Sequence, residues 1–250
     1  MGDDDLIPLP GVEPARTARE VVAGLGLRDE KPEGRPHAVA VMIMSADGRA
    51  TVEGRSGGLG NPADRALFRE LRAIADAVLV GPRTLSIEQY ATLLEPAQRA
   101  RRLEAGLPPE PILATVSRRA ELPLEIPLLA DPFARIQLYT GEDVEVGEWA
   151  AEVRIVRMTP DALEPAQIVR HLGEACGARL VVCEGGPTLL RALIAASCLD
   201  DLVITIAPLL VAGTETTVLR GDELEPPVEL ELRGTWRGGD HLFVHYARRR

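Results

Sequence analysis

Aromatic residues are scarce in this chain, at 3% of its 250 residues, whereas 46% of the residues are hydrophobic. A core must therefore be built mainly from Val, Leu, Ile and Ala. No apolar stretch approaches the roughly 18 uninterrupted residues of a membrane span. The first ten residues lack the basic and apolar segments of a signal peptide. We therefore expect a cytoplasmic protein that is neither exported nor inserted in a membrane.

Basic residues are in deficit as well, since 28 Lys and Arg stand against 38 Asp and Glu, for a formal net charge of −10. Nucleic acids and anionic membranes are bound through broad basic surfaces, so the charge argues against both as partners. A bound phosphate would need a local basic pocket. Cys176, Cys183 and Cys198 show no CxxC spacing, and we expect neither disulfides nor a metal site.

Several sequence motifs that are typical of known enzyme and nucleotide-binding families are missing. The GxGxxG of dinucleotide-binding folds, the Walker loop, the GxSxG of hydrolases and the HxE with PCxxC of zinc deaminases do not occur. The four histidines form no nucleophile motif, and we expect structural roles for them. A catalytic site would have to be built from other residues.

Apolar runs alternate with helix-like segments from residue 37 onward, which predicts an α/β fold. Residues 37–45 form a continuous apolar run before an Asp-Gly turn, as a buried central strand does. Asn61 and Pro62 then open a helix, with Asn at the N-cap and Pro at the first helical position. Further strands are predicted at 77–80, 112–116, 135–139, 153–156 and 179–183, and further helices at 83–88, 165–176 and 187–197.

The C-terminal part has the alternation of antiparallel strands, at 202–207, 228–237 and 241–247. Gly238 and Gly239 are expected to make the last turn. The pattern as a whole predicts a mostly parallel central sheet with an antiparallel C-terminal hairpin. Ligands of such sheets bind beyond the carboxyl ends of the strands.

Two regions fall outside this alternation. Residues 1–36 are rich in Asp, Glu, Pro and Gly and predict an N-terminal arm, with one short amphipathic helix within 15–27. The charged stretch 95–110 is expected to be a surface excursion. The domain organisation predicted is therefore an arm, 1–36, followed by one α/β domain, 37–250.

A glycine turn joins the strand predicted at 179–183 to the helix after it. It reads Glu184, Gly185, Gly186, Pro187, Thr188 and Leu189. A helix N-terminus behind paired glycines can bind an anion, because its N–H groups point at the turn. A bare strand-to-helix connection would explain the same residues, since glycine is the default where φ must be positive.

Two further turns after strands carry polar residues. One contains Gly81 and Thr84, and Thr84 can either cap the next helix or donate its hydroxyl to a phosphate or ribose. The other contains Ser117, Arg118 and Arg119. Arginine grips phosphate through two parallel hydrogen bonds, although a solvated basic turn would also account for this cluster. If the cluster binds the 2′-phosphate of the adenosine half, it selects NADPH over NADH.

The segment after the first strand offers candidate substrate contacts. Asp47 lies in an Asp-Gly turn, and Ser56 lies in a glycine-rich loop where its hydroxyl can bond a polar ligand. Arg72 lies on the helix opened by Pro62 and can clamp a substrate phosphate. An ordinary turn and a solvated helix face are the simpler explanations.

These segments, in this order, resemble the reductase domain of the riboflavin-pathway bifunctional deaminase-reductases, whose fold is like dihydrofolate reductase. The resemblance covers residues 37–247. Its marks are SADGRAT at 45–51, ELRAIADAVLVGPRT at 70–84, the Ser117 turn, EGGPTL at 184–189 and LVITIAPLLVAG at 202–213. It implies a three-layer α/β sandwich that binds NADPH and transfers a hydride to open the ribose of a phosphoribosylamino-pyrimidine. A homodimer is implied as well.

The resemblance also assigns roles to residues. The implied NADPH contacts are Gly81, Thr84, Glu88, Ser117, Arg118, Gly185, Gly186, Pro187, Thr188 and Leu189. The implied substrate contacts are Ser56, Arg72 and Glu184. The expected catalytic residues are Glu184, whose carboxylate can hold sugar hydroxyls, and Asp47. Ribose opening needs a proton donor near the ring oxygen, and Asp47 or a water is expected to supply it.

The chain departs from the family's pattern in the segment 86–92. The family's Asp-Asp-Pro and a downstream Arg are missing there; Glu88 stands for the first Asp, and Glu95 falls near the Arg position. The deaminase half is missing too, which predicts a stand-alone reductase or a paralogue with a different substrate. The alternatives are a dihydrofolate or other pterin reductase, a non-catalytic NADPH-binding sensor, and an α/β domain with no nucleotide site.

Overall fold

The computed structural model describes residues 15–30, 32–118, 126–144, 147–214 and 216–249. Its helices are α1 Ala18–Gly24, α2 Pro62–Ile74, α3 Pro82–Glu88, α4 Pro96–Glu104, α5 Pro165–Cys176 and α6 Pro187–Ala195. Its strands are β1 His37–Ser45, β2 Ala77–Val80, β3 Ile112–Val116, β4 Arg135–Thr140, β5 Glu152–Arg157, β6 Leu180–Cys183, β7 Asp201–Ala207, β8 Leu230–Gly238 and β9 His241–Arg248. These strands form one sheet in the order β5-β4-β3-β2-β6-β1-β7-β9-β8.

The middle of the sheet is parallel and buried on both faces. β1 pairs in parallel with β6 and β7, and β2 pairs in parallel with β3 and β6. Every residue of β2 and β6 is buried, which is why both strands are continuous apolar runs rather than alternating ones. The strands and helices predicted from these runs are confirmed, with ends shifted by at most two residues.

The C-terminal strands form the predicted antiparallel edge. β7 and β8 each pair antiparallel with β9. The hairpin turn lies at Gly239 and Asp240, one residue later than predicted, and Gly239 takes a φ of 63°, which glycine adopts without strain. The predicted fold class, an α/β sandwich with a mostly parallel sheet and an antiparallel C-terminal hairpin, is confirmed.

Helices cover both faces of the sheet and make it the middle of three layers. Alternate residues of a strand point to opposite faces. Val39 and Val78 accordingly pack in the cluster that includes α1 and α2, whereas Ala40 and Leu79 pack in the cluster that includes α5 and α6. No helix of the described ranges has the length and apolar composition needed to cross a bilayer.

The short helix predicted in the N-terminal arm is α1. Thr17 and Glu20 form a capping box at its start, and Val21 and Val22 are buried in the cluster that contains α2. Residues 1–14 and residue 31 lie outside the described residues. The division into an arm and a domain at residue 36 stays a prediction.

The stretch 95–110 is mostly exposed, as its charge predicts, but buried polar side chains fix it to the rest of the domain. It contains α4, whose Arg102 is only 2% exposed. The Arg102 guanidinium donates to the carbonyls of Ala73 and Ala75 at 3.0 and 2.6 Å, where α2 ends, and to the carbonyl of Pro108 at 2.7 Å. The last carbonyls of a helix have no partner within it, so this arginine is buried because it satisfies them.

Two buried histidines share one carboxylate at the start of the central strands. The Nε2 atoms of His37 and His245 lie 2.7 and 2.5 Å from the carboxylate oxygens of Asp201. Burial opposes the charge of Asp201, but hydrogen bonds from His245 and His37 bring its pKa down to about 2. Both histidines therefore join β1, β7 and β9 through Asp201.

Asp201→Asn should flatten the acid side of the stability curve. The folded-state pKa of about 2 lies below the roughly 3.9 of an unfolded Asp. The ionised carboxylate therefore stabilises the fold by about 2 kcal/mol above pH 4, and this contribution is lost as the pH falls towards 2. Urea unfolding between pH 2 and 7 should show a steeper loss for the wild type than for Asp201→Asn. Equal pH dependences of the free energy of unfolding in the two proteins would contradict the stabilising role of ionised Asp201. Asp161→Asn, at an exposed position, is the control and should behave like the wild type.

Candidate active site

Two adjoining cavities lie at the carboxyl ends of β1, β2 and β6, where ligands of such sheets bind. One, the Glu184 cavity, has a volume of about 270 Å³, and its walls include Met42, Ser56, Asp64, Phe68, Tyr90 and Glu184. The other, the Thr188 cavity, has a volume of about 540 Å³, and its walls include Gly81, Arg83, Arg118, Thr188, Leu189 and Arg220. The residues common to both walls are Thr51, Thr84, Glu88, Gly186, Pro187 and Thr216.

Glu184 is held in its cavity by a guanidinium and a phenol. Arg72 donates from Nε and Nη2 to the two carboxylate oxygens at 2.5 and 2.7 Å, and the Tyr90 hydroxyl donates to Oε2 at 2.6 Å. The guanidinium carbon of Arg72 lies 4.3 Å from the ring centre of Phe68 and 4.8 Å from that of Tyr90. Bidentate pairing and stacking on rings fix both charges in one geometry.

Burial and pairing set the charges of this cluster. Burial opposes the charge of Arg72, but the adjacent Glu184 carboxylate raises its pKa above the ordinary arginine value. Burial and the same carboxylate raise the pKa of Tyr90 well above its ordinary value. Arg72 is thus a cation and Tyr90 a neutral phenol at neutral pH.

The expectation that Arg72 clamps a substrate phosphate is not supported by its position. Arg72 is 7% exposed and lies behind the wall of the Glu184 cavity, with its guanidinium committed to Glu184. A guanidinium whose charge is neutralised by a buried carboxylate is a poor phosphate ligand. Arg72 therefore positions Glu184, which lies in the cavity wall with its side chain 0% exposed. The substrate contact of Glu184 stays a prediction.

The glycine turn after β6 brings the start of α6 to the junction of the two cavities. The Gly81 N–H donates to the Gly185 carbonyl at 2.9 Å, which joins the turns after β2 and β6. Gly185 takes a φ of 91°, and a Cβ at Gly186 would lie 3.3 Å from the Thr84 hydroxyl. The N-cap position of α6, Gly186, has no side-chain cap. The first-turn residues Pro187, Thr188 and Leu189 line the Thr188 cavity, where the uncapped N–H groups of Thr188 and Leu189 are candidate anion donors.

Thr84 and Glu88 of α3 line both cavities. The Glu88 carboxylate accepts a hydrogen bond from the Ser56 N–H at 2.9 Å. This bond ties the glycine-rich loop of Ser56 to α3 and closes the site on that side. Ser56 lies in the wall of the Glu184 cavity, where the sequence predicts a substrate contact.

Eight of the ten predicted cofactor contacts line the Thr188 cavity; Gly185 lines only the Glu184 cavity and Ser117 lines neither. Ser117 is buried at the end of β3, so the structure does not place its hydroxyl on a cavity wall. The exposed Arg118 side chain lines the Thr188 cavity and pairs with Glu164 at 2.7 Å. Arg119, the other guanidinium of this turn, lies outside the described residues.

The expectation that Asp47 donates a proton is contradicted by its environment. Its carboxylate accepts the Ser45 hydroxyl at 2.6 Å and the backbone N–H groups of Val211 and Ala212 at 3.1 and 2.7 Å. These bonds bring its pKa down to about 2. Asp47 is therefore ionised at neutral pH, lies in neither cavity wall, and fixes the loop after β7 to the turn after β1.

Several site residues were missed in the sequence. Arg83 and Arg220 line the Thr188 cavity beside Arg118, and Arg65, Tyr90 and Asp64 line the Glu184 cavity. Tyr90 lies in the segment 86–92, which departs from the family's pattern. That departure is the sequence feature that could have identified Tyr90 as a site residue. Asp64 lies in the first turn of α2, where an acidic residue is ordinary, so nothing in the pattern distinguishes it.

Two proteins of known name align in sequence with most of the chain. It is 29% identical over 205 residues to the riboflavin biosynthesis protein RibD of Mycobacterium tuberculosis, covering 80% of this chain and 51% of that protein. The chain thus spans about half the length of that relative. It is 24% identical over 225 residues to the 2,5-diamino-6-ribosylamino-4(3H)-pyrimidinone 5′-phosphate reductase of Methanothermobacter thermautotrophicus, covering 85% of this chain and 98% of that protein.

The fold is shared with a solved structure of a pyrimidine reductase-like protein from Corynebacterium diphtheriae. The two superpose with a TM-score of 0.76 at 23% identity, covering 94% of this chain and all of the other. The sequence model of the RibD C-terminal domain matches residues 36–244. That match spans the sheet as far as the middle of β9 and includes the residues of both cavities. The chain belongs to the RibD C-terminal domain family.

Proposed function

We propose that this protein is an NADPH-dependent reductase that acts on a pyrimidine ribosylamine phosphate such as 5-amino-6-(5-phosphoribosylamino)uracil. The observation that carries the proposal is the pair of adjoining cavities, one suited to a polyanion and the other holding a fixed carboxylate. The names of the family relatives agree with it. NADPH, when bound, would supply the hydride that reduces the ribose C1′.

The donor set of the Thr188 cavity fits a dinucleotide. The N-terminus of α6 and the unsubstituted Gly186 offer backbone N–H groups to a pyrophosphate at close range. Arg83, Arg118 and Arg220 add three guanidiniums to the same cavity. Such a cluster is unusual in a chain of net charge −10, and it suits the additional phosphate of NADPH rather than NADH.

The Glu184 cavity fits the ribosylamine part of the substrate. Hydrogen bonds from Arg72 and Tyr90 hold the Glu184 carboxylate in the buried layer of the cavity wall. We keep for Glu184 the contact with the sugar hydroxyls that the sequence predicts, which requires this side chain to turn towards the bound substrate. Arg65 lies in the same cavity wall. We assign to Arg65 the contact with the substrate phosphate that the sequence predicts for Arg72.

The proposal is tested by following NADPH oxidation with three candidate substrates. The uracil named above and 2,5-diamino-6-ribosylamino-4(3H)-pyrimidinone 5′-phosphate should be reduced to ribitylamino products. Dihydrofolate should be a poor substrate. Preferred turnover of dihydrofolate would instead identify a pterin reductase, and NADPH binding without any oxidation would identify a sensor. If added NADPH neither quenches Trp fluorescence nor raises the melting temperature, the protein has no nucleotide site.

Arg118→Ala should weaken NADPH binding far more than NADH binding. Loss of a charge-assisted hydrogen bond to the 2′-phosphate should cost about 1.5 to 3 kcal/mol, or roughly 10- to 100-fold in Kd, for NADPH alone. Titration calorimetry with both nucleotides measures the ratio. Arg157→Ala is the matched control, because Arg157 is also an exposed arginine in an ion pair, with Asp143 at 2.6 Å. Equal losses for NADPH and NADH would remove Arg118 from the 2′-phosphate site.

We also propose that the enzyme works in the cytoplasm as a homodimer, as the resemblance implies. Light scattering coupled to size exclusion measures the mass of the particle directly. A mass of one 27.0 kDa chain would contradict the dimer.

A further inference from the structure

Three carboxylic acids line the Glu184 cavity, and their surroundings differ. Glu184 is paired with the Arg72 cation, and Glu88 accepts a backbone N–H from Ser56. Asp64 accepts its hydrogen bond from a hydroxyl, that of Thr205. This partner is neither a cation nor a backbone N–H.

Asp64 is held at the cavity by α2 and β7. It follows the N-cap Asn61 and the first-turn Pro62 of α2, and its backbone N–H donates to the Asn61 side chain at 2.9 Å. Its carboxyl folds back over Gly60, where a Cβ would lie 2.7 Å from Oδ2. The Thr205 hydroxyl, from a residue only 1% exposed in β7, holds the other side. A larger residue at position 60 would displace this carboxyl.

The charged groups around Asp64 leave it biased towards the protonated form. Burial raises its pKa, and the Thr205 hydroxyl, His241 of β9 and Arg65 of α2 oppose that effect only in part. Glu184, which is paired with Arg72, and Glu88, which is bonded to the Ser56 N–H, lie in the walls of the same cavity. The imidazole of His241 is itself bonded to Asn61 and to the Leu59 carbonyl.

We propose that Asp64 is the proton donor to the ribose ring oxygen in the reduction, an inference that rests on the proposed function. The C1′–O4′ bond breaks with its electron pair passing to O4′, and O4′ takes the proton of the Asp64 carboxyl and becomes a hydroxyl. C1′ receives the hydride from NADPH. Asp64 is left as a carboxylate and is reprotonated from solvent, so each turnover consumes one NADPH and one proton.

Asp64→Asn tests this assignment, because the amide keeps the shape of the carboxyl but has no acidic proton. It should lower kcat by on the order of 10²- to 10⁴-fold, the usual contribution of a general acid. The Kd values of NADPH and of the ribosylaminopyrimidine phosphate should change less than about threefold, since the lost step follows binding. Asp161→Asn, an exposed acid outside both cavities, should leave kcat unchanged.

A second variant tests the proton itself. The Thr205 hydroxyl lowers the pKa of Asp64, so Thr205→Val should raise it. The wild-type kcat should fall at high pH as Asp64 loses its proton, and in Thr205→Val this fall should move to higher pH. Carboxyl ¹³C NMR of the ligand-free protein, with the Asp64 signal identified by its loss in Asp64→Asn, should give a midpoint above the roughly 3.9 of an ordinary Asp.

The outcomes separate the assignment from the proposed function. A wild-type kcat in Asp64→Asn, a pH profile unmoved by Thr205→Val, or an NMR midpoint at or below the ordinary value would each overturn the role of Asp64 while the reductase activity stands. No turnover of the ribosylaminopyrimidine phosphate by the wild type would overturn the function and this role together.

Discussion

Glu184→Gln should destabilise the protein by about 3 to 5 kcal/mol, the cost of leaving a buried charge without its partner. The Arg72 guanidinium is 7% exposed and makes both of its hydrogen bonds to the two Glu184 oxygens. A neutral amide removes the compensating charge but leaves the cation in place. Urea unfolding at pH 7 measures the effect, and a fall of less than about 1 kcal/mol would show that the pair is not the buried unit described above.

A double variant separates the charge effect from simple loss of a side chain. Arg72→Met with Glu184→Gln removes both charges and keeps an unbranched chain of similar length between Phe68 and Tyr90. Replacing both partners of a buried pair is often neutral or stabilising, so the double variant should be more stable than Glu184→Gln alone. Both variants should lose activity, because each lacks the carboxylate expected to hold the sugar hydroxyls.

Gly186→Val should weaken NADPH binding by on the order of 100-fold or more, equivalent to losing one or two hydrogen bonds to the pyrophosphate. The backbone of Gly186 has a φ of −57°, which valine can adopt, so the protein should still fold. A Cβ there already lies 3.3 Å from the Thr84 hydroxyl, and the two valine methyl groups would stand at the start of α6. Fluorescence titration with NADPH measures the loss.

Gly24→Val is the matched control for this substitution. A Cβ at Gly24, the last residue of α1, has no neighbouring atom within 4 Å, so the same change in side chain meets open space. It should leave the Kd of NADPH unchanged. Unchanged affinity in Gly186→Val as well would remove the glycine turn from the proposed cofactor site.

Local sequence signals were sufficient for the fold and pointed to the place of the candidate site. Continuous apolar runs predict the buried parallel strands, and Asn61 with Pro62 predicts the start of α2, because both depend on neighbours in sequence. The glycine turn after β6 could be placed at a ligand site for the same reason. The carboxyl end of a parallel strand is where such sheets bind ligands.

The roles of residues whose partners are distant in the chain could not be predicted from the sequence. Arg72 and Glu184 are 112 residues apart, and only the folded chain shows that each neutralises the other. The sequence predicts Arg102 to be one more exposed charge on a surface helix. It is buried because it donates hydrogen bonds to the carbonyls at the end of α2. Asp64 likewise looks like an ordinary first-turn acid until β7 and Gly60 place its carboxyl in the cavity.

Transfer of deuterium from NADPH to the substrate tests the proposed reaction most directly. NADPH deuterated at both C4 positions is incubated with the enzyme and 5-amino-6-(5-phosphoribosylamino)uracil, and the product is examined by mass spectrometry and NMR. The proposed reduction predicts a ribitylamino product with one deuterium on C1′, formed in equal amount to the oxidised cofactor. Oxidation of the cofactor without deuterium at C1′, or no product, would contradict it.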